Sequence, residues 1–142
     1  MNKIDSTHVA FVPKGDSMWP NLKNKKQTVI IDKSKTDIYE YDVVLYSRAN
    51  GDSILHRVIQ IHEGGDLICS GDSQFVLEKV SRFQVEGVMI GYYKKDKYRQ
   101  VDQKYRDKCK KYYNSKRRKF KVKTYFFCKR VVNKIKRIFK GK

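Results

Sequence analysis

The chain has no stretch of about 18 apolar residues, so no membrane-spanning helix is expected. Its first residues lack the apolar run of a secretory signal, so no export leader is expected either. Cysteine is sparse. Cys69, Cys109 and Cys128 are widely spaced and odd in number, and no CxxC pair occurs. This pattern reads as reduced thiols of a cytosolic protein. No cofactor and no metal ion is expected. Internal repeats and Gly/Ser linkers are also missing.

Acidic residues are scarce at one end only. Residues 1–91 hold 12 acidic and 11 basic side chains, a net charge of −1. Residues 92–142 hold 3 acidic and 22 basic side chains, a net charge of +19. A nearly neutral body with a basic tail differs from a uniformly basic protein, and a nucleic-acid reading based on pI alone would mislead.

Residues 9–12, 29–32, 42–46, 54–61, 67–70 and 85–93 are short and rich in Val, Ile and Tyr, and are predicted as strands. Turn signals separate them, at Ala49-Asn50-Gly51-Asp52 and Glu63-Gly64-Gly65-Asp66. The runs 54–61 and 67–70 form one expected hairpin. Six strands without a helical pattern predict a small, mainly β, mostly antiparallel body over residues 1–93. From there Tyr98, Val101, Tyr105, Cys109 and Tyr112 step by three and four, which is helical spacing. Residues 94–142 are therefore expected to be a basic, amphipathic helical tail.

The segment Gly15-Asp16-Ser17-Met18-Trp19-Pro20-Asn21-Leu22 places a serine between a glycine-led turn and a proline, just past a strand. A hydroxyl presented this way suits a nucleophile, although a serine in a turn is more often only a turn residue. Its base would be His56, within a strand between apolar neighbours and able to take a proton near neutral pH. His8 lies before the first strand and His62 beside the hairpin turn, so both are expected in solvent. Asp72, in Gly71-Asp72-Ser73, follows a strand and could orient an imidazole, hold the serine loop or simply cap its turn. Glu78 is the second acidic candidate.

The order Gly-Asp-Ser-Met-x-Pro-x-Leu, Asp-Val-Val, His-Arg-Val-Ile, Gly-Asp-Ser and Val-Glu-Gly over residues 11–91 resembles the type I signal peptidase and LexA-like serine peptidase superfamily. The resemblance covers about two-thirds of the chain and omits the tail. It implies the signal peptidase/LexA-like fold, with Ser17 as nucleophile and His56 at the base position. Most bacterial members have lysine there; histidine is similar to the endoplasmic-reticulum type of signal peptidase. The Gly-Asp motif maps to Gly71 and Asp72. The histidine-type enzymes complete the site with an aspartate farther on, where Glu78 is the nearest match, so Asp72 and Glu78 both stand as third member. Tyr41 replaces a usual glycine. Gly15 stands where some relatives have a serine that helps bind the oxyanion, which leaves that role to backbone N–H groups near Ser17.

The resemblance implies a serine endopeptidase that cleaves a leader or signal-like peptide within a peptide or protein precursor, after small side chains. A LexA-like self-cleaving regulator and a non-catalytic binding module are the alternatives. In the tail, residues 124–140 read as a cationic amphipathic helix, with Tyr125, Phe126 and Phe127 suited to an interface. Peripheral contact with an anionic membrane through residues 116–142 is expected, with nucleic acid or a protein partner as alternatives. The basic tail and the missing export signal place the expected protein in the cytoplasm or at the inner membrane surface.

Overall fold

The computed structural model describes residues 7–141. Eight strands precede two helices: β1 (His8–Phe11), β2 (Thr28–Asp32), β3 (Val43–Ser47), β4 (Ser53–Ile61), β5 (Leu67–Ser70), β6 (Glu78–Val80), β7 (Val85–Lys94), β8 (Lys97–Gln100), α1 (Gln103–Tyr113) and α2 (Lys116–Lys140). The strands form one antiparallel sheet in the order β1-β2-β7-β3-β4-β5-β6, and β8 pairs with β7. The chain is thus mainly antiparallel β with a C-terminal helical tail.

All six expected strands are present, within a residue or two at their ends. The β4–β5 hairpin is there as well, closing at Ile61↔Leu67. Two strands were not expected. β6 has three residues, too few to show alternation. β8 arises because Lys95 and Asp96 both take positive φ, 48° and 61°, and turn β7 back on itself. Such turns usually carry Asn-Gly or Asp-Gly, so Lys-Asp conceals the hairpin.

Lys94 and residues 97–100, expected in the helical tail, are strand instead. Tyr98 is a strand residue opposite Tyr93 rather than the first step of a helix. Helix α1 begins later, where Asp102 Oδ1 accepts a hydrogen bond from the Tyr105 N–H at 2.8 Å and caps its first turn. Contacts divide the chain into two compact units, Met1–Cys109 and Lys110–Lys142. In the second unit, Ser115 caps α2 by accepting a hydrogen bond from the Arg117 N–H at 3.2 Å.

Strand β3 organises the first unit. Val43, Val44, Leu45 and Tyr46 are all buried, so the strand is covered on both faces. Side chains alternate along a strand, and here the alternation feeds two cores. Val43 and Leu45 join Met18, Leu22, Val29, Ile31, Leu55 and Met89. Val44 and Tyr46 join Val58, Leu67, Cys69, Val80 and Val88. Three strand pairings shift register, at Ile30/Ile31, Leu45/Tyr46 and Val58/Gln60, and each such bulge increases the local twist. Gly87 permits one close approach: a Cβ there would collide with Ile31 Cγ2.

Candidate active site

Ser17 follows β1 in an irregular loop, residues 12–27, whose position is set by apolar anchors and by a second loop. Met18 and Leu22 are buried in the first core and fix both ends of the serine turn. The Leu22 N–H donates to the Met18 carbonyl at 2.9 Å and the Trp19 N–H to the Asp16 carbonyl at 3.0 Å. From the other side, Ser73 donates through its N–H to the Ser17 carbonyl at 2.9 Å and through its hydroxyl to the Asp16 carbonyl at 2.6 Å. Gly71 must be glycine for this docking, because a Cβ would meet the Ser17 carbonyl oxygen at 2.5 Å.

His56 comes from the middle of β4, opposite Val44. It is 5% exposed, and both it and Ser17 line one cavity of about 380 Å³. Phe11, Lys14, Arg48, Leu55 and Gln74 complete much of the wall. Among the described residues no hydrogen bond joins Ser17 Oγ to His56. Catalytic hydrogen bonds are often long in unliganded sites and tighten around substrate. The Ser17 N–H likewise makes no hydrogen bond among the described residues, which leaves it free to meet a developing oxyanion.

The imidazole is held from behind by a tyrosine. Tyr46 Oη lies 3.2 Å from His56 Nδ1 and donates to Glu78 Oε2 at 2.5 Å. Arg48 grips the same carboxylate from Nε and Nη2, both at 2.8 Å. Hydrogen bonding to Arg48 holds the Glu78 carboxyl below its usual pKa, against the opposing pull of burial. Glu78 therefore stays ionised and accepts. A phenol has one proton, and Tyr46 gives it to Glu78. Toward His56 the same oxygen can only accept, so Nδ1 carries the imidazole hydrogen and the Nε2 lone pair is free. Burial pushes the His56 pKa down, partly offset by Glu78 and Asp72, so the ring is neutral at and above ordinary pH.

Asp72 is placed elsewhere. It is fully buried and accepts from Arg57 Nε at 2.7 Å, Arg57 Nη2 at 2.8 Å and Asn21 Nδ2 at 2.8 Å. Arg57 also donates to the Tyr41 carbonyl at 2.7 Å and to the Tyr105 hydroxyl at 3.2 Å. His56 lines the cavity, whereas Arg57, next along β4 and on the opposite face, does not, and Asp72 pairs with it there. Asp72 thus ties the serine loop, through Asn21, to the end of β5. The structure brings Ser17 and His56 to one cavity, joins Glu78 to His56 through Tyr46, and leaves Asp72 outside the cavity wall.

His62 is exposed beside its turn, as expected. His8 lies inside β1 rather than before it, and its Nε2 is 3.5 Å from Asp32 Oδ2. Tyr46, Arg48 and the Arg57–Asp72 pair were not foreseen as parts of the site. Only the period-two pattern of β4 hinted that His56 and Arg57 serve different faces. Cys69 is buried, which pushes its thiol up to about 12 and leaves it inert as a nucleophile.

No family model, no curated protein and no solved structure matches the chain.

Proposed function

We propose that the protein is a serine endopeptidase of the signal peptidase kind, cutting a leader or signal-like segment from a peptide or protein precursor. The observation that carries this reading is the shared cavity, with Ser17 at its wall and a buried, neutral His56 whose Nδ1 is occupied by the Tyr46–Glu78 pair. The motif order over residues 11–91 supports the same reading.

Ser17 Oγ adds to the scissile carbonyl carbon while His56 Nε2 takes the hydroxyl proton. The backbone N–H of Ser17 meets the oxyanion. As the tetrahedral centre collapses, the C–N bond breaks and His56 returns the proton to the leaving amine. Water then adds to the acyl-serine, giving its proton to His56, and the Ser17 C–O bond breaks with reprotonation of Oγ. Tyr46 and Glu78 orient the ring and stabilise the imidazolium formed in each half, a role reached through a tyrosine rather than by direct carboxylate contact. Asp72 acts at one remove, by fixing the loop that carries Ser17. The proposed location is the cytoplasm or the inner face of a membrane.

The test is mass spectrometry of a leader-type peptide library incubated with wild type, Ser17→Ala and His56→Ala. Peptides cut by wild type and spared by both variants are expected. Equal cleavage by all three would overturn the proposal, and no cleavage by wild type would favour a non-catalytic binding module.

A further inference from the structure

Helix α2 carries an exposed apolar stripe. At 100° per residue, Phe120, Phe127, Val131 and Ile138 fall within about 40° of one another. Ile135, Val132 and Phe139 widen the stripe to roughly 140°. All seven are exposed, from 41% at Val131 to 76% at Phe120. Every residue from 127 to 141 is exposed, so the distal half of the helix has no apolar cover among the described residues. An apolar patch of this size usually marks an interaction surface.

The rest of the helix is cationic. Its 25 residues include 12 lysines and arginines and no acidic residue. Lys123, Arg130, Arg137 and Lys140 lie around the side away from the stripe, and Lys134 borders it. We infer that α2 is a membrane-surface helix, lying flat on an anionic bilayer with this stripe in the interface and its lysines and arginines reaching lipid phosphates.

Charge and shape favour this occupant over the others. No helix among the described residues is long and apolar enough to cross a bilayer. A flat helix sinks only its apolar side into the headgroup boundary, and anionic lipid attracts the opposite side. A nucleic acid would neutralise the cations but leave Val131, Ile135 and Ile138 in water. A second copy of the helix would bring two strongly positive surfaces together. Long basic side chains also bend back toward headgroups from the edges of an apolar stripe. The inference is independent of the peptidase reading and survives if that reading fails.

The test is flotation of the full chain with vesicles of about three parts phosphatidylcholine to one part phosphatidylglycerol, against phosphatidylcholine alone. Binding to the anionic vesicles alone is expected. Combined Phe127→Ser, Ile135→Ser and Ile138→Ser should lower the partition coefficient at least about tenfold, as should combined Lys134→Gln, Lys136→Gln and Arg137→Gln. Affinity for a single-stranded RNA oligonucleotide should fall only with the second set. In wild type, a fluorophore on the exposed Cys128, which lies within the stripe, should be quenched by lipids brominated on their acyl chains. Flotation of the serine variant within about twofold of wild type would overturn the inference. So would vesicle-bound wild type whose Cys128 probe is unquenched, or wild type that binds RNA but no vesicle.

Discussion

Replacing Tyr46 by phenylalanine removes one oxygen from the middle of the site and little else. Tyr46 is fully buried in the second core, and a phenyl ring keeps its packing. Glu78 keeps both hydrogen bonds from Arg48, so its charge remains paired. The loss falls on His56 Nδ1–H, which is left buried without its acceptor. An unsatisfied buried donor costs about 1–3 kcal/mol. That cost falls on the tautomer that keeps Nε2 free and on the imidazolium, so kcat/KM on a peptide cut by wild type should drop about 5- to 150-fold. Fold stability should fall by only about 1 kcal/mol. A substrate-free assay reads the cause directly: long-range nitrogen–proton NMR of the three histidines, with His8 and His62 as references. Wild-type His56 should show a neutral ring protonated at Nδ1, and Tyr46→Phe should show a mixture of both tautomers. A wild-type ring protonated at Nε2 would refute the proton accounting. A Tyr46→Phe protein with an unchanged tautomer and unchanged kcat/KM would refute the role given to Tyr46.

Asp72→Asn should destabilise the fold by about 3–5 kcal/mol in urea melts, because it leaves the Arg57 charge buried without its counter-ion; a loss of activity without a loss of stability would instead give Asp72 a direct catalytic role. Gly71→Ala should lower kcat/KM about a hundredfold by displacing the Ser17 carbonyl, with the fold retained by circular dichroism; wild-type rates would show that the approach of the two loops is dispensable. The proposed base, His56, acts when neutral, and burial lowers its pKa, so the acid limb of kcat/KM should lie below about pH 6.5. Stability has the same sign. Unfolded His56 binds its proton at higher pH than folded His56, and unfolded Glu78 does likewise at lower pH. Stability contributed by both groups is therefore complete above about pH 6.5, and acid melts should show it falling as pH drops.

The sequence pattern carried the sheet further than it carried the site. β4 and β7 are long and apolar, and β4 is bounded by glycine turns, so both strands were legible. β8 was hidden because its turn uses Lys95-Asp96, and the residues after it step at helical spacing from Tyr98 onward. The motifs singled out Ser17 and His56, and the structure places both at one cavity. Which carboxylate connects to His56 was not legible, because two compete and only register separates them. Asp72 follows β5 and meets Arg57, while Glu78 opens β6 and reaches His56 through a tyrosine on a third strand. That bridge depends on pairing Val44 with His56, and Tyr46 with Ile54, which spacing along the chain does not reveal.

The turn between β3 and β4 sets which of two neighbouring residues reaches the cavity. It closes with the Arg48 N–H on the Asp52 carbonyl at 2.9 Å and passes through Gly51 at φ 88°. A slip of β4 by one residue would swap every side chain between faces. Arg57 would then occupy the histidine's place at the cavity, away from Asp72, and His56 the place of Leu55 in the first core. The length of this turn therefore acts as a reading frame for the site. Insertions and deletions that move the frame should be far more damaging there than substitutions in the same residues.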